Sequence, residues 1–207
     1  MTGLRIGLLT GGGDAPGLNG ILEASCRTLI KAGCELFGIE DGFEGIFQNR
    51  VRPITLKDIE NIHTLAGTLL GTSNKSGTAG REAEFVAKYQ ALKLDGLIVA
   101  GGDGTFAGLK ALERSIPFIG VPKTIDNDLS GTEVTFGFDT ACSVVSDAVD
   151  TLRATANAHR RVIVVEAMGR TAGWIALGGG LSGYADAILI PERPFDRVRL
   201  LDYIRAR

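Results

Sequence analysis

Short apolar runs alternate with glycine-rich turns and helical patterns along most of this chain. The first run, Leu4 to Leu9, precedes a glycine-rich segment at 10–19 and an amphipathic helix that we expect to end near Gly33. A second run, Cys34 to Ile39, leads into a predicted turn at 41–45. Strands that alternate with helices build βαβ units, so the pattern predicts an α/β protein with a doubly wound, mostly parallel sheet.

The stretch from Asp95 to Asp128 contains the clearest of these units. We predict a strand at Leu97–Ala100, followed by a glycine-rich turn at 101–105. A helix at Phe106–Arg114 and a second strand at Phe118–Val121 complete the unit. A crossover helix returns the chain to the same end of the sheet, so Asp103 and Asp126 should follow the carboxyl ends of neighbouring strands. We therefore expect two acidic loops to face one crevice.

The remaining patterns predict further elements, and the segment 48–66 gives only a weak signal. We expect a helix with an apolar stripe at Arg81–Leu94 and a long helix, capped by Asp139, at Asp139–Asn157. Two strands should follow at Val162–Val165 and Asp186–Pro191, and a terminal helix at Phe195–Arg207. Trp174 should open another helix and lie in the core. A second α/β domain is expected to begin near Asp139.

Composition and charge restrict the classes of function. Hydrophobic residues make up 44% and charged residues 22% of the 207 positions, which is typical of a soluble globular protein. The net charge of −2 gives no basic footprint for nucleic acid or a membrane surface. The sequence shows neither a membrane-spanning run nor a signal-peptide pattern, so we expect a cytoplasmic protein. Cys26, Cys34 and Cys142 lack metal-ligand spacing and are expected to be buried, reduced thiols.

Two loops carry the candidate chemistry, GGDGT at 101–105 and PKTIDND at 122–128. Glycines let a ligand approach the backbone, and the amides that open the next helix can donate to phosphate oxygens. Asp103 would repel phosphate unless a cation lay between them, so we interpret it as a Mg²⁺ ligand. A carboxylate of the second loop can act as general base, and Lys123 suits phosphate. Each loop alone is also common in solvated turns, but the two together, one crossover apart, favour a phosphate site.

Together, GGDGT and PKTIDND resemble the 6-phosphofructokinases, and the resemblance runs from residue 4 to about residue 192. It implies phosphoryl transfer from ATP or pyrophosphate to the 1-hydroxyl of fructose 6-phosphate, with Mg²⁺ as cofactor, in a homo-oligomer that is a dimer or tetramer. It implies a phosphoryl-donor domain at 1–138 and an incomplete sugar-phosphate domain at 139–207. Because the chains of this family run further, we expect a fragment or an active site completed otherwise.

The resemblance also implies roles for individual residues. Asp126 would be the general base, Thr124 and Asp128 would position sugar and metal, and Arg170 would bind the developing negative charge. The implied donor-binding residues are Gly12, Asn74, Lys75, Gly102, Asp103, Gly104, Thr105 and Lys123. The implied sugar-phosphate residues are Thr124, Asp126, Asp128, Arg161, Met168, Gly169 and Arg170, with Arg161 lent to a neighbouring subunit. Asn74 stands where the family carries an arginine, and Lys75 is its candidate substitute.

Several alternatives stay open at this point. Gly104 resembles ATP users and Lys123 resembles pyrophosphate users, and we favour ATP because a lysine side chain can swing aside. A dinucleotide-dependent oxidoreductase would explain the glycine loops but leaves PKTIDND without a role. A non-catalytic fragment that folds and associates would explain the short chain. His63 is expected to be a surface or hydrogen-bonded histidine rather than a catalyst.

Overall fold

The computed structural model describes residues 3–75 and 77–206, which form two compact units, Met1–Thr124 and Ile125–Arg207. The first unit is a mostly parallel sheet with helices on both faces, which is the predicted doubly wound α/β class. The second unit contains mainly helices. The assignment of a donor domain to 1–138 and a sugar-phosphate domain to 139–207 stays a prediction.

Five strands build the sheet of the first unit, in the order β3-β2-β1-β4-β5. In chain order they are β1 Arg5–Thr10, β2 Glu35–Ile39, β3 Val51–Ile54, β4 Gly96–Gly101 and β5 Phe118–Thr124. All neighbours are parallel except β3, which runs antiparallel to β2 at the edge of the order. The register pairs Thr10 with Ala100 and Gly101 with Pro122. Strands β1, β4 and β5 therefore end side by side, and the loops that follow them start at one edge of the sheet.

Four α-helices and one 3₁₀ helix join these strands. They are α1 Leu18–Lys31, α2 Phe43–Phe47, the 3₁₀ helix Ile62–Thr64, α3 Glu82–Ala91 and α4 Asp103–Lys110. The predicted turn at 41–45 is wrong in part, because α2 begins at Phe43. The Phe43 side chain is buried in the core. The predicted start of α4 at Phe106 is also wrong, since the helix opens at Asp103. The Asp103 carboxylate is therefore in the first turn of a helix, where negative charge is favoured.

Both faces of the sheet are buried. On β1, Leu9 belongs to a cluster with residues of α2, α3 and α4, whereas Leu8 belongs to a cluster with residues of α1. Phe85 is completely buried in the first cluster, and its ring meets Phe43 and Phe47 edge-on at centroid distances of 5.7 and 5.6 Å. Strands buried on both faces read as continuous apolar runs, which is why β1 and β4 were predictable.

The second unit contains a two-residue strand and three helices, β6 Phe136–Gly137, α5 Phe138–His159, α6 Trp174–Ser182 and α7 Arg197–Arg205. Helices α5 and α6 pack closely through glycines. A Cβ added to Gly179 would lie 2.6 Å from the Cβ of Val145, and one added to Gly183, directly after α6, would lie 2.9 Å from the Cβ of Val149. Only glycine permits this approach of the two helices.

Several expectations for this unit are wrong. The segments Val162–Val165 and Asp186–Pro191 are not strands, because no neighbouring strand pairs with them among residues 125–206. Val164 is 87% exposed and Trp174 50% exposed, so neither lies in a core. Asp139 does not cap α5, because Gly137 adopts a left-handed conformation with φ of 106° and lets the helix begin one residue earlier.

The three cysteines differ in how deeply they are buried. Cys26 and Cys34 are buried thiols, as predicted, and burial raises the pKa of Cys26 to about 12. Cys142 is only partly buried, which corrects the expectation for that residue.

Across residues 3–75 and 77–206, none of the helices combines the length and apolar character needed to cross a bilayer.

Replacing Phe85 with alanine should lower the free energy of unfolding by about 3–5 kcal/mol, because it leaves a cavity between α2, α3 and the sheet. Urea unfolding followed by circular dichroism measures this loss. Phe195→Ala is the control, because Phe195 is 50% exposed and should cost far less. Equal losses in the two variants would contradict the described core.

Candidate functional site

The first glycine loop joins β1 to α1 and contains Gly12. Gly12 has a φ of 82°, which only glycine adopts without strain, and its N–H donates to the carbonyl of Ser73 at 3.2 Å. The N–H of Gly11 donates to the carbonyl of Ala100 at 2.9 Å. The loop is therefore tied on one side to the end of β4 and on the other to the segment that contains Ser73.

The second glycine loop joins β4 to α4. Its Thr105 is buried and fills the space between the two loops, since a Cβ on Gly101 would lie 2.5 Å from the Thr105 side chain and one on Gly11 would lie 2.8 Å from it. Beyond its chain neighbours and its own helix, no described heavy atom lies within 4 Å of the position that a Cβ on Gly104 would take. Thr105 thus spaces the two loops, and Gly104 borders open space.

Lys123, near the end of β5, extends its side chain to the first glycine loop. Its side chain is buried at 3% exposure, and Nζ donates to the carbonyl of Gly13 at 2.6 Å. The ammonium also lies 3.4 Å from where a Cβ on Gly12 would be, and a Cβ on Gly102 would lie 3.8 Å from the Cβ of Thr124. The structure therefore brings the predicted residues Gly12, Gly102, Lys123 and Thr124 together at the carboxyl edge of the sheet.

The third predicted donor segment contains Asn74 and Lys75. The Lys75 N–H donates to Oγ of Ser73 at 3.2 Å. A cleft of about 370 Å³ opens here, lined by Glu44, Ser73, Lys75, Gly77 and Arg81. Asn74 is not among its lining residues, whereas Lys75, the candidate substitute, is.

Sequence reasoning missed Arg81 as a residue of this cleft. Its guanidinium lies 3.5 Å from the centroid of the Phe47 ring and pairs with Glu84 at 2.9 Å. In the sequence, Arg81 could have been found as a cation that follows a glycine-containing loop at the start of a helix. Its pairing partner Glu84 and the ring below it keep the side chain in one orientation.

In the second unit, the predicted residues Asp126 and Asp128 flank an anchored residue. Asn127 has a left-handed φ of 52°, its Oδ1 accepts the N–H of Thr135 at 2.9 Å, and its Nδ2 donates to the carbonyl of Glu133 at 3.3 Å. These bonds fix the loop in which both carboxylates lie. That Asp126 shares one pocket with Asp103 stays a prediction.

The other predicted sugar-phosphate residues lie in the segment 160–173, between α5 and α6. Arg161 is exposed directly after α5, and its N–H donates to the carbonyl of Ala156 at 2.9 Å. Met168 is 74% exposed and precedes a tight turn in which the carbonyl of Gly169 accepts the N–H of Ala172 at 2.8 Å. Arg170 has a left-handed φ of 53° in this turn. The roles of Arg161, Met168, Gly169 and Arg170 stay predictions.

The electrostatics of α1 are dominated by Glu23. Its largely buried carboxylate accepts the backbone N–H of His63 at 3.0 Å, Nδ1 of His63 at 2.7 Å and Nε of Arg27 at 2.9 Å. The hydrogen bonds from His63 are the main cause that lowers the pKa of Glu23 to about 2. His63 is therefore a hydrogen-bonded histidine, as expected, and it links its segment to α1.

Metal binding was predicted at Asp103. Across the described ranges 3–75 and 77–206, no group of three or more histidine, cysteine, aspartate or glutamate side chains is arranged to hold a metal ion. A metal held through Asp103 would therefore need most of its ligands from water and from a bound phosphate.

Comparisons with known proteins match nearly the whole length of this chain. The family model described as Phosphofructokinase matches residues 5–207. The ATP-dependent 6-phosphofructokinase of Chloroflexus aggregans is 46% identical over 215 residues, which cover 98% of this chain and 60% of that protein. The pyrophosphate–fructose 6-phosphate 1-phosphotransferase of Amycolatopsis methanolica is 45% identical over 210 residues, which cover 99% of this chain and 61% of that protein. This chain spans about 60% of the length of these relatives.

Solved structures show the same fold. The phosphofructokinase of Pichia pastoris in the T-state superposes with a TM-score of 0.89 at 29% identity, over 98% of this chain and 22% of that chain. The pyrophosphate-dependent phosphofructokinase of Nitrosospira multiformis gives a TM-score of 0.86 at 19% identity, over 98% and 56% of the two chains. The latter likeness concerns the fold alone.

The stability that Glu23 confers should depend on pH. Because its pKa falls from 4.5 to about 2 on folding, the ionised carboxylate contributes stability that is complete above about pH 4.5 and is lost as the pH falls to about 2. Urea unfolding of the unchanged chain and of Glu23→Gln should give the same difference in free energy of unfolding at pH 7 and pH 5 and a smaller difference at pH 3. The exposed Glu60→Gln is the control, and a constant difference for Glu23→Gln would contradict the assignment.

Proposed function

This chain belongs to the phosphofructokinase family, and on that premise we propose that it transfers a phosphoryl group from ATP or pyrophosphate to the 1-hydroxyl of fructose 6-phosphate. The product would be fructose 1,6-bisphosphate. The proposal places the chain in cytoplasmic glycolysis as a homo-oligomer, a dimer or tetramer, in which Arg161 would contact the sugar phosphate of a neighbouring copy.

The observation that carries the proposal is the cradle formed by the two glycine loops and Lys123. Backbone atoms of Gly12 and Gly102 and the buried ammonium of Lys123 lie at one sheet edge, beside open space at Gly104. Backbone amides at a helix N-terminus and a nearby ammonium are what phosphate oxygens bind. The cleft lined by Lys75 and Arg81 adds two further cations suited to a phosphorylated donor.

The donor set fits Mg²⁺ at Asp103. Mg²⁺ is commonly bound through one or two carboxylates, with waters and substrate phosphates as the other ligands, and Asp103 in the first turn of α4 follows the phosphate cradle directly. When bound, the ion would neutralise the charge on the transferred phosphoryl group. Within the chain, Asp103 would orient the ion and Asp128 would support it.

The acceptor chemistry is assigned to the second unit and the end of β5. Asp126 would accept the proton of the 1-hydroxyl as its oxygen attacks the transferred phosphorus, and the bond from that phosphorus to the departing ADP or phosphate would break. Thr124 would hold the sugar in place. Arg170 would bind the charge that develops on the phosphoryl group, and Met168 and Gly169 would contact the sugar. The hydrogen bonds of Asn127 to Glu133 and Thr135 support this role, because they restrain the loop that carries Asp126.

The donor is proposed to be ATP rather than pyrophosphate. The open space at Gly104 supports ATP, because a nucleotide needs room for its α-phosphate and nucleoside. The position of Lys123 beside Gly12 would suit pyrophosphate, and the bond from its ammonium to the Gly13 carbonyl must break before the side chain can swing aside for ATP. Turnover with each donor and fructose 6-phosphate, followed by mass spectrometry of the bisphosphate product, tests the proposal directly. Bound ligand without turnover from either donor would instead support a non-catalytic chain.

Replacing Asp126 with asparagine should reduce turnover by about 10²- to 10⁴-fold, because the variant loses the base but keeps the shape of the side chain. A coupled assay for fructose 1,6-bisphosphate measures the loss, and circular dichroism checks the fold. Asp150→Asn, on the exposed side of α5, is the control. An Asp126→Asn protein that keeps most of its rate would reject the assignment.

Replacing Gly104 with aspartate should reduce the use of ATP by about tenfold or more and affect pyrophosphate less, since a carboxylate would repel the α-phosphate. A Cβ at position 104 would meet no described heavy atom within 4 Å beyond its chain neighbours and its own helix, so the fold should persist. Gly104→Ala adds a Cβ without charge and is the matched control. Equal losses with both donors in the Gly104→Asp variant would contradict the assignment of Gly104.

A further inference from the structure

Residues 65–75 connect the 3₁₀ helix to the donor cleft without forming a helix or a strand among the described positions. This segment carries Ser73 and Lys75, which line the cleft. A segment without backbone ladders takes its position from contacts with other elements. What holds residues 65–75 therefore decides where Ser73 and Lys75 lie.

Asn19, on α1, makes the largest set of such contacts. Its side chain is buried at 5% exposure, and Nδ2 donates to the carbonyls of Leu65 at 3.0 Å and Gly67 at 2.8 Å. Its Oδ1 accepts the N–H of Leu69 at 2.8 Å. One buried amide thus binds three backbone groups within five consecutive residues and uses both of its N–H donors.

The far end of the segment is attached to the first glycine loop. The hydroxyl of Thr72 donates to the carbonyl of Gly12 at 2.6 Å, and the N–H of Gly12 donates to the carbonyl of Ser73 at 3.2 Å. The hydroxyl of Thr10 donates to the carbonyl of Gly71 at 2.6 Å. The backbone between Leu69 and Ser73 is therefore held at one end by Asn19 and at the other by the phosphate cradle.

We propose that Asn19 is a positioning residue for the phosphoryl donor. It fixes the backbone at 65–69, so that Ser73 lies beside Gly12 and Lys75 lines the cleft before the donor arrives. Preorganised ligands lose less entropy when they bind, so loss of the Asn19 bonds weakens donor binding without removing a donor contact. This inference rests on the proposed function, because it names a residue that acts through the donor site.

Glu23, one turn further along α1, anchors the residue that precedes the 3₁₀-helix end rather than the segment itself. Its carboxylate bonds Arg27 within α1 and His63, before the segment begins, whereas Asn19 bonds residues within the segment. Because the Glu23 bonds lie outside residues 65–75, their loss should lower the free energy of unfolding more than it weakens donor binding. The two α1 residues thus separate a general anchoring role from a positioning role.

The test compares Asn19→Ala and Asn19→Asp with Thr28→Ala, a matched control on the same helix whose hydroxyl bonds the carbonyl of Ala24, within α1. Asn19→Asp keeps the acceptor for the Leu69 N–H but sets a carboxylate against two carbonyls, and it serves if Asn19→Ala does not fold. Calorimetry measures the Kd of ATP with Mg²⁺, of pyrophosphate and of fructose 6-phosphate. Hydrogen exchange measures protection of the amides at 67–72.

We expect both Asn19 variants to raise the donor Kd about 5- to 30-fold, which corresponds to the loss of one or two net hydrogen bonds. The Kd of fructose 6-phosphate should change less than twofold, and exchange at 67–72 should accelerate. A merely structural role would weaken both ligands together. Thr28→Ala should match the unchanged chain in every measurement.

Two failures can be told apart. If the unchanged chain binds neither ATP nor pyrophosphate, the proposed function is wrong and the positioning role falls with it. If the unchanged chain binds a donor and the Asn19 variants bind it equally well, only the positioning role is overturned. Faster exchange at 67–72 with an unchanged donor Kd also overturns it, because the segment would then be loosened without consequence for the donor.

Discussion

The parallel pairing of β1 with β4 is the constraint on which the first unit depends. Thr10 lies opposite Ala100, so the two strands end together and each passes directly into a glycine loop. Apolar side chains on both faces of these strands are buried, which fixes the register, because a shift by one residue would turn each face toward the wrong cluster. Thr105 and the Gly11 N–H then hold the loops at contact distance.

Much of this first unit could be predicted from the sequence, because its signals are local. Apolar runs marked β1, β2, β4 and β5, and glycines marked the loops that follow β1 and β4. The signal failed where a tertiary contact decides the outcome. Phe43 turns a predicted loop into α2 because its ring packs on Phe85. Strand β3 is short and includes Pro53, so it has no clear apolar pattern and exists through its pairing with β2.

In the second unit, the hydrophobic pattern of the sequence is a poorer guide to secondary structure than it is in the first unit. Val162–Val165 has the composition of a buried strand, yet a strand forms only where a neighbour accepts its backbone hydrogen bonds. The candidate site follows the same rule. Gly12 and Gly102 could be identified from local motifs, whereas the burial of Lys123 against the Gly13 carbonyl and the membership of Arg81 in the cleft require three-dimensional contacts. Sequence motifs therefore identify residue types, and packing decides which of them meet.

The glycines of α6 have a further consequence for the second unit. Gly178, Gly179 and Gly183 face Cys142, Val145 and Val149 along one side of α5, at spacings that leave no room for a methyl group. Side chains of one helix that fill notches in another prevent sliding and rotation between them. The α5–α6 pair should therefore behave as one rigid body, so that α6 cannot shift without α5.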